Sequence, residues 1–299
     1  MRRKTAGKKE LTVAILTVML CVTVFAILFV KSENSFFKLP EAYTSGEDFV
    51  KFIDVGQGDC ILIHSNGLSA LIDTGTDESA ADINKVLYNC GIKKIDVLLL
   101  SHLHIDHTGG VAGIFEEFKV ENLILPELST YSEGIHSAQL AINEVTKAGG
   151  GVYSAVQGMN FMLGDFEITI LASYGKMLDE NDRSLVIMAK IDKKKFLFMG
   201  DAERKTERKL IEENINLNCD VLKVGHHGSN TSSGKNFLKA VMPKYGVISV
   251  GKGNSYGHPH SESVKGLKGI EAQILRTDKC GDITFYVQNG RIRLETEKG

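Results

Sequence analysis

With 299 residues, 43% of them hydrophobic, the chain is long enough to bury a sizeable core. Its 35 Lys and Arg against 37 Asp and Glu exclude a chain-wide electrostatic pull toward polyanions, leaving only a local basic face open. None of the five cysteines forms a C-x-x-C pair, which argues against cysteine-based zinc or redox chemistry.

Arg2, Arg3, Lys4, Lys8 and Lys9 make residues 1–10 a basic tail. Residues 11–30 follow with no charge, Gly or Pro. Twenty residues at ~1.5 Å rise span roughly 30 Å, the thickness of a bilayer's hydrocarbon core. The pattern predicts a single-pass helix in the plasma membrane, with the N-terminus cytoplasmic and the rest outside. The alternative is a cleaved signal peptide. Against it, the apolar run exceeds a usual signal core, residues 28–36 offer no small-residue cleavage site, and Leu20 is bulky where a lipoprotein signal at Cys21 wants a small residue. Residues 31–46 are polar and aperiodic, a linker to a domain at 47–299.

In that domain FVKFIDV (49–55), CILIHS (60–65) and LSALIDT (68–74) are short apolar runs between Gly-containing turns and predict strands. Ile83, Val86 and Leu87 share one face of a helix predicted over 77–90. VLLLS (97–101) is continuously apolar, as in a strand covered on both faces. FEITILA (166–172), SLVIMAKI (184–191), KFLFMG (195–200), DVLKVG (220–225) and YGVISV (245–250) predict further strands. Helices are expected over 203–214 and 261–269, and Asn289-Gly290 marks a final hairpin. Cys60 and Cys219 read as small buried hydrophobes. Phe161, Met162, Phe196, Phe198 and Met199 read as core. Strands interleaved with helices suggest two packed sheets with helices outside.

SHLHIDHTGG (101–110) directly follows the buried strand. His102, His104, Asp106 and His107 place three imidazoles and a carboxylate within six positions, a donor set suited to zinc and similar cations. Gly109 and Gly110 let the loop turn tightly into the next helix. A chance surface cluster would explain one or two histidines, not this spacing.

H-x-H-x-D-H after a buried strand resembles the signature of the metallo-β-lactamase superfamily. The resemblance implies an α/β fold, the αββα four-layer sandwich, with the site at one edge of the sheets. It implies two divalent metal ions, zinc foremost and manganese also compatible. His102 and His104 would hold the first, Asp106 and His107 the second. Asp73, in LIDTG (71–75), would support the loop from behind, and Asp201, in MGDAE (199–203), would bridge both ions. In order along the chain, FIDVGQGDCILI (52–63), LLLSHLHIDHTGG (98–110), NDRSLVI (181–187), LKVGHHGS (222–229) and ISVGKGNSYGHP (248–259) resemble the soluble hydrolase domain of the ComEC family of DNA-uptake proteins. Phosphorylcholine esterases share much of the pattern. Residues 179–183 hold no histidine where many superfamily members place a ligand. The first metal would therefore keep an open position or recruit Asn181 or Asp182. ComEC proteins also carry a polytopic channel, whereas this chain has one apolar span, so it is not expected to be the channel itself.

One histidine of GHHGSNTS (225–232) should complete the second metal. Its place after the glycine favours His226, leaving His227, Ser229 and Asn230 to face substrate, with Asn181 beside them. Lys223 either reaches a phosphate oxygen or sits in solvent. His258 is expected to touch substrate, with His260 undecided between site and surface. His64 and His136 lie outside every motif. The expected activity is metal-dependent hydrolysis of a phosphodiester, in nucleic acid or a choline phosphate polymer. Asp106 and Asp201 would be indispensable, the nucleophile a hydroxide shared by the two metals, and His258, His227 or water the proton donor. The alternatives are hydrolysis of a lactam or thioester, and metal binding on a membrane tether without catalysis. No segment points to a protein partner.

Overall fold

The computed structural model describes residues 46–129, 131–175 and 179–298. The basic tail, the apolar stretch 11–30 and the linker to residue 45 lie outside the described residues. Among the described residues, no helix is long and apolar enough to cross a membrane.

Six strands come first: β1 (Asp48–Phe52), β2 (Ile61–Ser65), β3 (Leu68–Ile72), β4 (Val97–Leu99), β5 (Asn122–Leu125) and β6 (Gly151–Ser154). Seven more build a second sheet: β7 (Asn160–Leu163), β8 (Phe166–Ala172), β9 (Val186–Ile191), β10 (Lys194–Phe198), β11 (Val221–Lys223), β12 (Tyr245–Ile248) and β13 (Gln273–Arg276). The hairpin β14 (Ile283–Gln288) and β15 (Arg291–Thr296) then returns to the first sheet. The strand orders are β15-β14-β1-β2-β3-β4-β5-β6 and β13-β12-β11-β10-β9-β8-β7. Each sheet runs parallel through one end, β3 to β6 and β10 to β13, and antiparallel through the other. The closing hairpin turns at Asn289 and Gly290, both at positive φ, as its dipeptide predicts.

Alternation along the strands sorts side chains into layers. Leu62, Leu71, Leu98 and Leu123 face the helices Ala80–Asn89, Val111–Glu117 and Ile135–Lys147, meeting Leu87, Ile114 and Val145. In the second sheet Met188, Leu197, Leu222 and Ile248 meet Leu210, Phe237 and Leu267 of the helices Arg204–Glu212, Lys235–Val241 and Ser261–Gly269. Residues of the opposite parity fill the space between the sheets. There Phe52 lies 6.1 Å from Phe198 and Phe196 lies 6.1 Å from Phe285, ring centre to ring centre. Each such ring contributes roughly 1.5–3 kcal/mol by leaving water. The result is four layers, helix, sheet, sheet and helix. Met162, expected in the core, is 54% exposed, because β7 is an edge strand and buries only the alternate residues Phe161 and Leu163.

Candidate metal centre

Parallel strands align their carboxyl ends, and the functional side chains leave from those ends. Asp73 follows β3, His102 and His104 follow β4, Asp201 follows β10, His226 and His227 follow β11, and His258 lies in the loop after β12. The single helical turn Ile105–Thr108 starts directly after His104 and brings Asp106 and His107 back to the same edge. Below it the GQGD turn packs without slack. A Cβ on Gly58 would come 2.3 Å from the Asp106 carbonyl oxygen, so only glycine fits there.

Two donor groups form on this edge. One ligand atom each from Asp106, His107, Asp201 and His227 lies within 4.8 Å of the others, and so do atoms of His102, His104 and Asp201. Asp201 belongs to both. Asp73 sits behind them. It accepts hydrogen bonds from the Ser101 hydroxyl at 2.6 Å and from His107 Nδ1 at 2.8 Å. Since that hydroxyl donates to Asp73, it accepts from His102 Nδ1, 3.1 Å away. His227 Nδ1 donates to the Ser249 carbonyl at 3.0 Å. Committing Nδ1 of His102, His107 and His227 in this way leaves each Nε2 with its lone pair turned to the site. Nε2 of His107, Nε2 of His227 and Oδ1 of Asp201 are buried with no hydrogen-bond partner. Mutually facing, orphaned lone pairs of this kind fit a cation.

The electrostatics agree. Burial works against charging His227, yet the carboxylates of Asp201 and Asp106 push it up to about 10. His107 is raised well above the usual imidazole range against the same burial, again by Asp201 and Asp106. Burial would raise Asp106 and Asp201, but the neighbouring imidazoles hold both below the ordinary carboxylate range. The pocket is electronegative and draws positive charge. The overlapping trio Asp59, Asp73 and His107 already spends its closest atoms on the His107–Asp73 bond and supports the second group from behind.

Three expectations change. The histidine that joins the second group is His227, not His226. His226 instead lies 3.0 Å through Nδ1 from Glu203 Oε1, with Nε2 3.7 Å from Asp201 Oδ2. The reason is local, because both histidines take left-handed backbone, φ 48° and 50°, and the sharp turn sends the second ring inward. Lys223 reaches neither solvent nor substrate. Leu222 and Val224 face the helices, so Lys223 points between the sheets, fully buried, with Nζ 2.6 Å from Asp59 Oδ2. Ser229, expected to face substrate, is buried, its hydroxyl 2.9 Å from Thr231 Oγ1.

Asn230 is exposed, its amide donating to His260 Nδ1. Asn181 is half-buried, its side-chain amide 3.3 Å from Glu203 and 3.5 Å from His226 Nδ1. Asp182 is buried and accepts from the amides of Glu203 and Thr206, so it caps the helix Arg204–Glu212. The His258 ring stacks 6.3 Å from that of His227 and lies 5.4 Å from that of His226. Burial and the positive field of His226 and His227 lower it to about 4. Asp59 and Glu203 were not singled out from sequence. Asp59 stands in the quoted GQGD segment, the one signal that could have found it. Glu203 opens a charged helix and looks like surface.

Comparison with known proteins places this geometry. A family model described as the metallo-beta-lactamase superfamily matches residues 53–252. The chain is 30% identical, over 94% of its length, to ComE operon protein 3 of Bacillus subtilis, and 33% identical, over 86%, to competence protein ComA of Neisseria gonorrhoeae. It spans 37% and 35% of those two proteins, about a third of their length. The solved metallo-beta-lactamase fold protein YhfI from Bacillus subtilis superposes with a TM-score of 0.53, covering 83% of this chain and 100% of that one, at 12% identity, a likeness of fold alone. The family match, the two facing sheets and the paired donor groups at the strand ends lead to one conclusion: the chain belongs to the metallo-β-lactamase superfamily.

Proposed function

We propose that this chain is a metal-dependent phosphodiesterase acting on nucleic acid, held at the outer face of a membrane by residues 11–30. The observation that carries the reading is the pair of adjacent donor groups sharing Asp201, one with four donors and one with only three. Of residues 179–183, Asp182 gives Oδ1 to the helix amides, while Asn181, its Nδ2 on Glu203, keeps a buried Oδ1 with no hydrogen-bond partner. Such a centre leaves room for water and a phosphate oxygen. The chemistry that two divalent cations supply in such a setting is Lewis acidity, which activates water near neutral pH and relieves charge on the phosphate.

The side chains around this centre divide the remaining work. Asp73 orients His107 directly and His102 through Ser101. His227, committed to the donor group, is not free to protonate a leaving oxygen. His258, lowered to about 4, is neutral at physiological pH and suits hydrogen bonding better than proton donation. His226 takes that role. Its Nδ1 faces Glu203, and its Nε2 looks into the site. Competence-related names among the relatives support nucleic acid as the substrate.

Purified full-length protein, freed of metal and reloaded with zinc or manganese, is expected to cleave bis(p-nitrophenyl) phosphate and oligonucleotides. EDTA and Asp106→Ala should each abolish the activity. Turnover of nitrocefin or a thioester with none of phosphodiesters overturns the reading.

A further inference from the structure

We infer that the loop 251–258 is a stacking subsite for an unpaired nucleobase, with Tyr256 as its platform, so that the substrate is single-stranded nucleic acid. The inference rests on the phosphodiesterase reading and narrows its substrate class.

Tyr256 is 65% exposed although it lies beside the metal centre. One face of its ring is covered, stacked on His258 at 5.7 Å and 23°. His258 is itself stacked on His227 at 6.3 Å and 27°. A series of near-parallel rings thus runs from the donor group to the surface in two steps. The other face of Tyr256 ends the series in solvent. Base stacking on such a face is sequence-tolerant, because every base offers a π surface.

The platform is held in place. Asn254 accepts from the His258 amide at 3.0 Å and donates to the carbonyls of His258 and Gly251 at 2.7 and 3.0 Å. Gly251 is seated on the GQGD turn, where a Cβ would lie 2.8 Å from the Gln57 nitrogen. A preorganised ring loses little entropy when a base covers it. Lys252, exposed on the same loop, adds the positive charge that a phosphate backbone requires.

The chain contains no tryptophan, so Tyr256→Trp gives it a single indole reporter. Full-length Tyr256→Trp protein in EDTA, where strands are not cut, is titrated with an oligothymidylate and with an abasic strand of equal length. The oligothymidylate should quench the indole and bind roughly tenfold more tightly than the abasic strand. In metal-loaded protein, the preference in kcat/KM for the oligothymidylate over the abasic strand should collapse in Tyr256→Ala and survive in Tyr256→Phe. Lys252→Ala should weaken both strands alike and flatten the salt dependence of binding. The subsite is overturned by an indole signal that ignores the oligothymidylate, by quenching with phosphocholine instead, or by an unchanged preference in Tyr256→Ala. Wild-type protein that cuts neither strand overturns the phosphodiesterase reading, and the EDTA titration then judges the subsite by itself.

Discussion

His226 and His227 are neighbours in left-handed backbone, and their rings serve different partners, Glu203 and the Asp106–Asp201 pair. Non-glycine residues in that region cost of order 1–3 kcal/mol each, a strain the surrounding structure must hold. The proposed division of labour separates on mutation. His227→Ala should lower the metal-to-protein ratio measured by elemental analysis. His226→Ala should keep the ratio and lose about 100-fold in kcat on a phosphodiester, the usual size of a lost proton donor. Equal metal loss in both variants would remove the distinction. At this scale the contiguous donors 102–107 are legible in sequence because spacing alone brings them together. The choice between two adjacent histidines is not, since it depends on backbone angles that the letters GHHG leave open.

Among the elements, the helix Arg204–Glu212 ties together both ends of the second donor region. Asp182 caps its first turn, and farther along Glu207 accepts the amides of Ser233 and Gly234 at the start of the helix Lys235–Val241. Burial outweighs those two donors and raises Glu207 to about 7 from its ordinary 4.5. The folded state therefore binds this proton more tightly than the unfolded chain does. The stability it contributes is fully present below about pH 4.5 and is lost as pH rises through about 7. Melting temperatures of wild type relative to Glu207→Gln should fall across that window, and a constant difference would refute the assignment. Most strands were legible from their apolar runs, and the helix 261–269 matches the observed Ser261–Gly269. β5, β6, β7 and β13 escaped because each opens on Asn, Gly or Gln, which breaks the apolar run that marks the other strands. The helix Ile135–Lys147 escaped because it buries only Ala138, Ala141 and Val145, a face too small to stand out.

Across the whole molecule, the ion pair of Asp59 and Lys223 ties the two sheets together directly behind the proposed metal centre. Lys223→Met takes away the ammonium 2.6 Å from the buried Asp59 carboxylate and should cost about 3–5 kcal/mol. Asp59→Asn combined with Lys223→Met should recover most of that loss in chemical denaturation. A double variant no better than the single would mean that packing of the lysine stem, not charge, matters there. This contact joins residues far apart in the chain, and no local pattern announces a buried lysine, so the sequence suggested phosphate or solvent for it instead. The two-sheet sandwich was legible as a whole, through its family signature more than through its periodicity.

The position of β1 has a consequence for synthesis. The first strand to leave the ribosome in this domain lies between β2 and β14, and β14 is among the last to be made. Until the closing hairpin emerges, a nascent chain presents β1 as a bare edge with its amides and carbonyls unspent on one side. Translation must therefore run through almost the entire domain before that edge is sealed, and through this interval the growing polypeptide is most exposed to strand-mediated self-association.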